Sequence, residues 1–172
     1  AVGRIDGSIY RRAILHDVRL ADPKGVFLDA PRIELDWWPF AWLSNRLDID
    51  RLAIPQANLR KLPKLNPTRR EGPILPGFDI RLMQFSVGRL NIAPAVTGKA
   101  QTAIMSGDAD IRGGRAIIDL SARTTDGRDA LNIALDSRPD NDRIALDVTV
   151  NAPKGGVLAT MAGLKQDAKV IF

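Results

Sequence analysis

The sequence predicts a nearly all-β fold, an antiparallel meander with one or two short helices. The first observation is a repeat of alternating aliphatic and polar residues, whose copies begin 13 residues apart at Ile118, Leu131 and Ile144. Alternation with a period of two is typical of a strand with one apolar face. The second observation is that candidate helices total only about 15 residues, too few to cover a sheet of this many strands.

The composition is that of a single folded domain. The 172 residues are 45% apolar and 5% aromatic, so the core is expected to be mainly aliphatic. Cysteine is absent, which excludes disulfides, thiolate nucleophiles and Cys-based metal sites. We expect neither a signal peptide nor a membrane span, because no apolar run approaches about 18 residues. The chain starts without Met and ends in a strand pattern, so we expect a piece of a longer protein.

The first elements follow from alternation and turn chemistry. Strands are predicted at residues 14–20 and 26–35, on either side of a turn at Asp22-Pro23-Lys24-Gly25. This turn has proline and glycine at the positions where turns favour them. Pro39 then begins a short predicted helix, since proline is tolerated in a first helical turn. A third strand pattern covers residues 47–62, with a proline inside it that indicates a break or an edge.

A basic loop over residues 63–77 divides the chain, because its four prolines and two glycines disfavour regular structure. Beyond the loop, short turns predict that neighbouring strands are antiparallel. Ile104 and Ile111 have opposite parity, which indicates a bulge or a wrong register between them. The predicted organisation is an N-terminal β segment (1–62, helix near 39–45), the loop (63–77) and a meander continuing the same sheet (78–172, with strands at 79–85 and 87–92 and a second short helix at 157–164).

The aliphatic face of the meander requires a cover, because each of its side chains contributes about 1.5–3 kcal/mol when buried. A second sheet about 10 Å away would give a closed sandwich. Alternatively, the sheet curls into a trough, which stays empty or holds a lipid. Composition favours the sandwich, whereas the scarcity of large aromatic side chains favours the trough. The nine residues predicted on this face are Ile118, Leu120, Leu131, Ile133, Leu135, Ile144, Leu146, Val148 and Val150.

No combination of residues predicts catalysis or metal binding. His16 is the only histidine, and without a cysteine or a second histidine it is expected to be structural. The spacing supports no Ser–His–acid set. Carboxylates cluster at the predicted strand ends, where they are expected to make the turns soluble. We therefore expect no enzymatic activity, no metal and no cofactor.

The net charge of +5 and the pI of about 10.0 permit an anionic partner. Five basic residues lie within one short stretch, which is either a solvated loop or a contact for lipid phosphates or a partner protein. Nucleic acid is not expected, because no aromatic residue lies among these charges. The five are Arg60, Lys61, Lys64, Arg69 and Arg70.

Four of the nine aromatic residues lie between Trp37 and Trp42. Such a cluster either plugs one end of the sheet from inside or forms an aromatic belt at a membrane interface. The core plug is the favoured interpretation. The cluster consists of Trp37, Trp38, Phe40 and Trp42.

The order and spacing of residues 3–52 resemble the N-terminal region of the TamB family, within the AsmA-like group of bridge-like lipid transfer proteins. The resemblance starts at Gly3-Arg4-Ile5-Asp6-Gly7-Ser8 and continues through the stretch from Ala13 to Phe27. It then includes Ile33 to Leu43 and Leu47 to Leu52, and extends more weakly into the meander. No single motif in it is strongly specific.

This resemblance implies a periplasmic segment of a longer protein that is anchored in the inner membrane of a Gram-negative bacterium. It implies a β-taco-like fold, an elongated trough whose apolar face shields phospholipid acyl chains during transport between the two membranes. It also implies outer-membrane assembly with a TamA-type barrel as partner. The nine meander residues would then line the lipid path, and the five basic residues would contact head groups or a partner.

Overall fold

The computed structural model describes residues 1–8, 10–63, 75–152 and 168–171, the last four and residue 152 for their backbone only. Ten strands and three short helices make up this part of the chain. The helices are Pro39–Ser44 and Pro139–Asn141, both 3₁₀, and Pro94–Thr97. The strands are β1 (Arg4–Gly7), β2 (Arg12–Asp22), β3 (Gly25–Trp38), β4 (Arg46–Leu59), β5 (Asp79–Ile92), β6 (Gln101–Arg112), β7 (Arg115–Thr124), β8 (Ala130–Arg138), β9 (Arg143–Ala152) and β10 (Ala168–Ile171).

All ten strands belong to one sheet, in which they lie side by side in chain order from β1 to β10. The sheet is curled and is not closed into a barrel, which confirms the predicted all-β trough. Two stacked sheets, the alternative of a closed sandwich, are not what the described residues form. Neighbouring strands are antiparallel with one exception, and the short turns within the meander agree with this prediction.

The exception is the pair β4 and β5, which runs parallel. β5 therefore begins at the same end of the sheet as β4. Every paired residue of β4 faces the residue 33 positions later, from Arg46 opposite Asp79 to Leu59 opposite Ile92. The two strands therefore have the same arrangement of apolar positions, and the meander joins the N-terminal segment without a change of sheet.

Register shifts are concentrated in the first half of the sheet. They occur at Leu20/Ala21 between β2 and β3, at three places between β3 and β4, and at Leu82/Phe85 and Val87/Leu90 between β5 and β6. The three ladders from β6 to β9 have none. Bulges of this kind bend a strand and increase its local twist.

The buried cluster of the protein lies in this bulged half. Its members come from four successive strands, and partly buried side chains such as Leu52 and Phe85 pack against them. The buried members are small or medium in size, and no large side chain is completely buried. The cluster consists of Val18, Ala30, Ile33, Ala57 and Val87.

Several details differ from the sequence prediction. The segments 79–85 and 87–92 form the single strand β5, because its bulges interrupt the alternation without ending the strand. In β6, Ile111 lies on the apolar face and Ile104 on the opposite face, and the ladder to β7 is regular. The opposite parity of Ile104 and Ile111 therefore does not come from a bulge in β6, because the irregular positions of the β5–β6 ladder lie in β5. Most of the predicted loop 63–77 and the predicted helix 157–164 lie outside the described residues.

Candidate functional site: the apolar face of the sheet

Strand pairing places the nine predicted lining residues on one face. Residues that pair directly across an antiparallel ladder project to the same side. Because the register is continuous from β7 to β9, the aliphatic residues form rows that run across the strands. The rows are Ile118–Leu135–Leu146, Leu120–Ile133–Val148 and Leu131–Val150, with Ile144 opposite Ser137.

These rows continue through β4, β5 and β6, where the sequence pattern identified no lining residues. In β4 and β5 the residues on the apolar face are separated by two and three positions in turn, since each bulge adds a residue. The shared spacing of Leu47, Ile49, Leu52 and Ile54 with the residues 33 positions later is the signal that would have found them. The extended rows are Ile49–Leu82–Ala109–Ile118, Leu52–Phe85–Gly107–Leu120 and Ile54–Val87–Met105–Ala122.

The apolar face of the meander is open to its surroundings. Ile144 and Leu146 are 68% and 51% exposed, and the other seven predicted lining residues are half-buried. The helices among the described residues have six, four and three residues, too short to lie across the sheet. In the part of the chain that the structure describes, the aliphatic rows of β7 to β9 therefore have no second layer packed on them.

The opposite face is polar along the same strands. A row of small hydroxyl and amide side chains crosses the sheet at Ser86, Ser106, Ser121 and Asn132, and the Ser121 hydroxyl donates to Asn132 Oδ1 at 2.9 Å. Arg115 Nε donates to Asp136 Oδ1 at 2.7 Å, and this hydrogen bond lowers the pKa of Asp136. The sheet therefore separates an apolar surface from a hydrated one.

Two of the five predicted basic contact residues lie within the described part of the chain, and both form ion pairs. Lys61 Nζ donates to Asp22 Oδ1 at 2.8 Å, and Arg60 Nε donates to Asp29 Oδ1 at 2.5 Å. Arg60 remains 64% exposed, so its guanidinium is accessible to a further partner. Lys64, Arg69 and Arg70 lie outside the described residues.

Asp29 belongs to a chain of hydrogen bonds that crosses β3, β4 and β5. Asn58 Nδ2 donates to Asp29 Oδ2 at 2.7 Å, and Asn91 Nδ2 donates to Asn58 Oδ1 at 2.8 Å. Burial by itself would raise the pKa of Asp29. The hydrogen bonds from Asn58 and Arg60 and the charge of Arg60 outweigh burial, so this pKa lies below its ordinary value of 3.8.

A cavity of about 580 Å³ lies at this end of the sheet, where β4 and β5 end and β6 begins. Arg60, Asn58 and Asn91 contribute polar groups to its wall, together with Thr102 and Thr125. Apolar side chains from the last positions of β4 and β5, Leu59 and Ile92, complete the wall. The cavity thus combines one cation and several hydrogen-bonding groups with the end of the apolar rows.

The aromatic cluster does not form the core plug that the sequence favoured. Trp38, Phe40 and Trp42 are 50%, 53% and 59% exposed, and only Trp37 of the four is half-buried. His16 has a structural environment, with its Nε2 2.9 Å from Asp6 Oδ2. Among the described residues, no three acidic, histidine or cysteine side chains converge on a point where a metal would bind.

None of the described helices is long and apolar enough to cross a bilayer. No protein-family model, no curated protein and no solved structure matches the chain.

Proposed function

We propose that this chain is a non-enzymatic segment of a TamB-like lipid bridge, whose apolar sheet face shields phospholipid acyl chains. The aliphatic rows of β7 to β9, on which no other described residues pack as a second layer, are the observation that carries the proposal. A soluble monomer rarely exposes such a continuous apolar surface unless a partner or ligand covers it. The resemblance of residues 3–52 to the TamB family supports the choice of phospholipid as that ligand.

The proposed mechanism is passive. Aliphatic side chains make no directional bonds, so an acyl chain can slide along the rows with little change in energy. Each methylene group removed from water contributes about 0.8 kcal/mol, which holds the chain against the face. The polar opposite face, with its row of serine and asparagine side chains, keeps the sheet in solution.

Head groups would remain at the rim of the sheet, where cations and hydrogen-bond donors are available. The cavity at the end of β4 and β5 has the polar wall that a phosphodiester needs, with Arg60 as its cation. In this proposal the protein lies in the periplasm, is anchored to the inner membrane, and acts in outer-membrane assembly with a TamA-type barrel. These last features follow from the resemblance alone.

Native mass spectrometry of the protein after incubation with phosphatidylethanolamine and phosphatidylglycerol vesicles tests the proposal. We expect bound phospholipid on the wild-type chain and its loss in Ile133→Asp, because the new carboxylate would lie in the middle of an aliphatic row. Asn132→Asp is the matched control, since it places the same charge one residue away on the polar face. Equal lipid binding by both variants, or none by the wild type, would contradict the proposal.

A further inference from the structure

We propose that the segment from Trp38 to Leu43, together with Tyr10, docks on the surface of an anionic lipid bilayer. We call these residues the aromatic tip; its exposed side chains are Tyr10, Trp38, Phe40, Trp42 and Leu43. This interaction is separate from lipid binding along the aliphatic rows.

The tip is a cluster of exposed apolar side chains. Their exposed fractions are 50% at Trp38, 53% at Phe40, 59% at Trp42 and 84% at Leu43. Tyr10, which is 64% exposed, stacks on Phe40 with ring centres 6.3 Å apart. Side chains of this size are ordinarily buried, so their joint exposure indicates a surface that is covered in use.

Backbone and side-chain contacts fix the position of the aromatic tip. Ala41 is buried beneath it, and Asn45 ends the helix in the left-handed conformation, with φ 57°. The Asn45 amide also donates to Gly77 O at 2.8 Å, which ties the end of the tip to the segment before β5. On that side, Trp42 lies 5.7 Å from the ring of Phe78. The exposed rings are therefore presented by a fixed support.

The charges beside the tip suit an anionic surface. Arg12 and Arg46 flank it with side chains 77% and 47% exposed, whereas their acidic partners Asp36 and Asp48 are only 22% and 13% exposed. Arg11 is exposed as well, and among the described residues no carboxylate pairs with it. The accessible charge around the aromatic rings is thus positive, which attracts phosphatidylglycerol-type head groups.

The shape and chemistry of the tip favour a bilayer over a protein. Tryptophan and tyrosine prefer the membrane interface, where the ring is in the apolar layer and the N–H or O–H contacts head groups. A protein interface of ordinary size buries about 800 Å² on each partner and requires a matching surface. The five exposed side chains of the tip are few beside the roughly 20–30 residues that each partner contributes to such an interface. A bilayer accommodates them without a matching surface.

Tryptophan fluorescence reports on this site selectively, because all three tryptophans of the chain lie between Trp37 and Trp42. The experiment adds the protein to phosphatidylcholine vesicles with and without phosphatidylglycerol, prepared with brominated acyl chains. We expect a blue shift and quenching with the anionic vesicles. The double variant Phe40→Ser/Leu43→Ser keeps every tryptophan. It should bind the anionic vesicles at least about tenfold more weakly, since it loses two exposed apolar side chains of the tip.

Two controls make the result decisive. Leu20→Ser changes a side chain that is 46% exposed at the other end of β2, and it should bind the vesicles as the wild type does. Ile133→Asp should lose bound phospholipid in mass spectrometry yet still dock on vesicles, so failure of one proposal is distinguishable from failure of the other. Docking that is absent with anionic vesicles, or unchanged by Phe40→Ser/Leu43→Ser, would overturn the inference.

Discussion

The two halves of the sheet bury their apolar face to different extents. In β2 to β5 small and medium-sized side chains form the buried cluster around Val18, Ala30 and Val87. In β7 to β9 the leucine and isoleucine side chains are half-buried or exposed, up to 68% at Ile144. The halves differ in their register, since the first has repeated shifts and the ladders from β6 to β9 have none.

Burial of the apolar face coincides with the bulged ladders. Each bulge adds a residue to one strand and increases the local twist, which brings side chains of nearby strands together. The first half therefore contains the buried cluster, whereas the aliphatic rows of β7 to β9 stay accessible among the described residues.

The largest expected difference between the halves is in the free energy of unfolding after an apolar side chain is shortened in each. Ile33→Ala deletes a side chain of the buried cluster and should lower the free energy of unfolding by about 3 kcal/mol. Leu146→Ala removes a side chain that is already 51% exposed and should lower it by less than about 1 kcal/mol. Urea denaturation of the ligand-free protein measures both changes, and equal losses would remove the distinction between the halves.

A second variant tests the boundary between the halves. Gly107 of β6 lies between Phe85 and Leu120 in one apolar row, and a Cβ there would clash with the Asp119 carbonyl oxygen. Gly107→Ala should lower the free energy of unfolding by about 2 kcal/mol, since overpacking forces the β6–β7 ladder apart. Ser106→Ala, on the exposed polar face beside it, should have almost no effect in the same thermal or urea unfolding measurement.

The third prediction compares two left-handed residues, one in each half. Asn45 and Asp142 both end a 3₁₀ helix, with φ 57° and 50°, but only Asn45 also donates through its side chain, to Gly77 O at 2.8 Å. In either alanine variant the free energy of unfolding should fall by about 1 kcal/mol, because alanine is strained in the left-handed conformation. Asn45→Ala should lose about 1 kcal/mol more for the missing hydrogen bond. Glycine at each position isolates the conformational part, and a larger loss at Asp142 would contradict the comparison.

The smallest effect is a pH dependence in the bulged half. Asp29 has a lowered pKa in the folded state because of Asn58 and Arg60, so its ionised form stabilises the fold. That contribution is complete above the unfolded pKa of about 3.9 and is lost as pH falls through the lower folded value. Asp29→Asn and Asn58→Ala should both flatten the acid limb of stability against pH. An acid limb that is unchanged in both variants would exclude this network as its source.

The sequence predicts the part of the fold that depends on regular alternation. The nine meander residues project to one face because three strands without register shifts keep a period of two. Alternation does not predict the apolar face of the bulged strands, since Leu82 and Phe85 share a face although three positions separate them. The parallel pairing of β4 and β5 is likewise not specified by alternation, because two parallel strands can show the same pattern as two antiparallel ones. Exposure of the aromatic tip depends equally on its position at the end of the sheet.

The central claim, that the apolar face of the meander holds acyl chains, is tested most directly by photocrosslinking in Gram-negative cells. A photoreactive amino acid is placed at Ile133 or Leu146 on the apolar face, and at Asn132 or Asp147 on the polar face of the same strands. We expect phospholipid adducts from the first pair and none from the second. Adducts from Asn132 and Asp147 instead, or from neither pair, would contradict it.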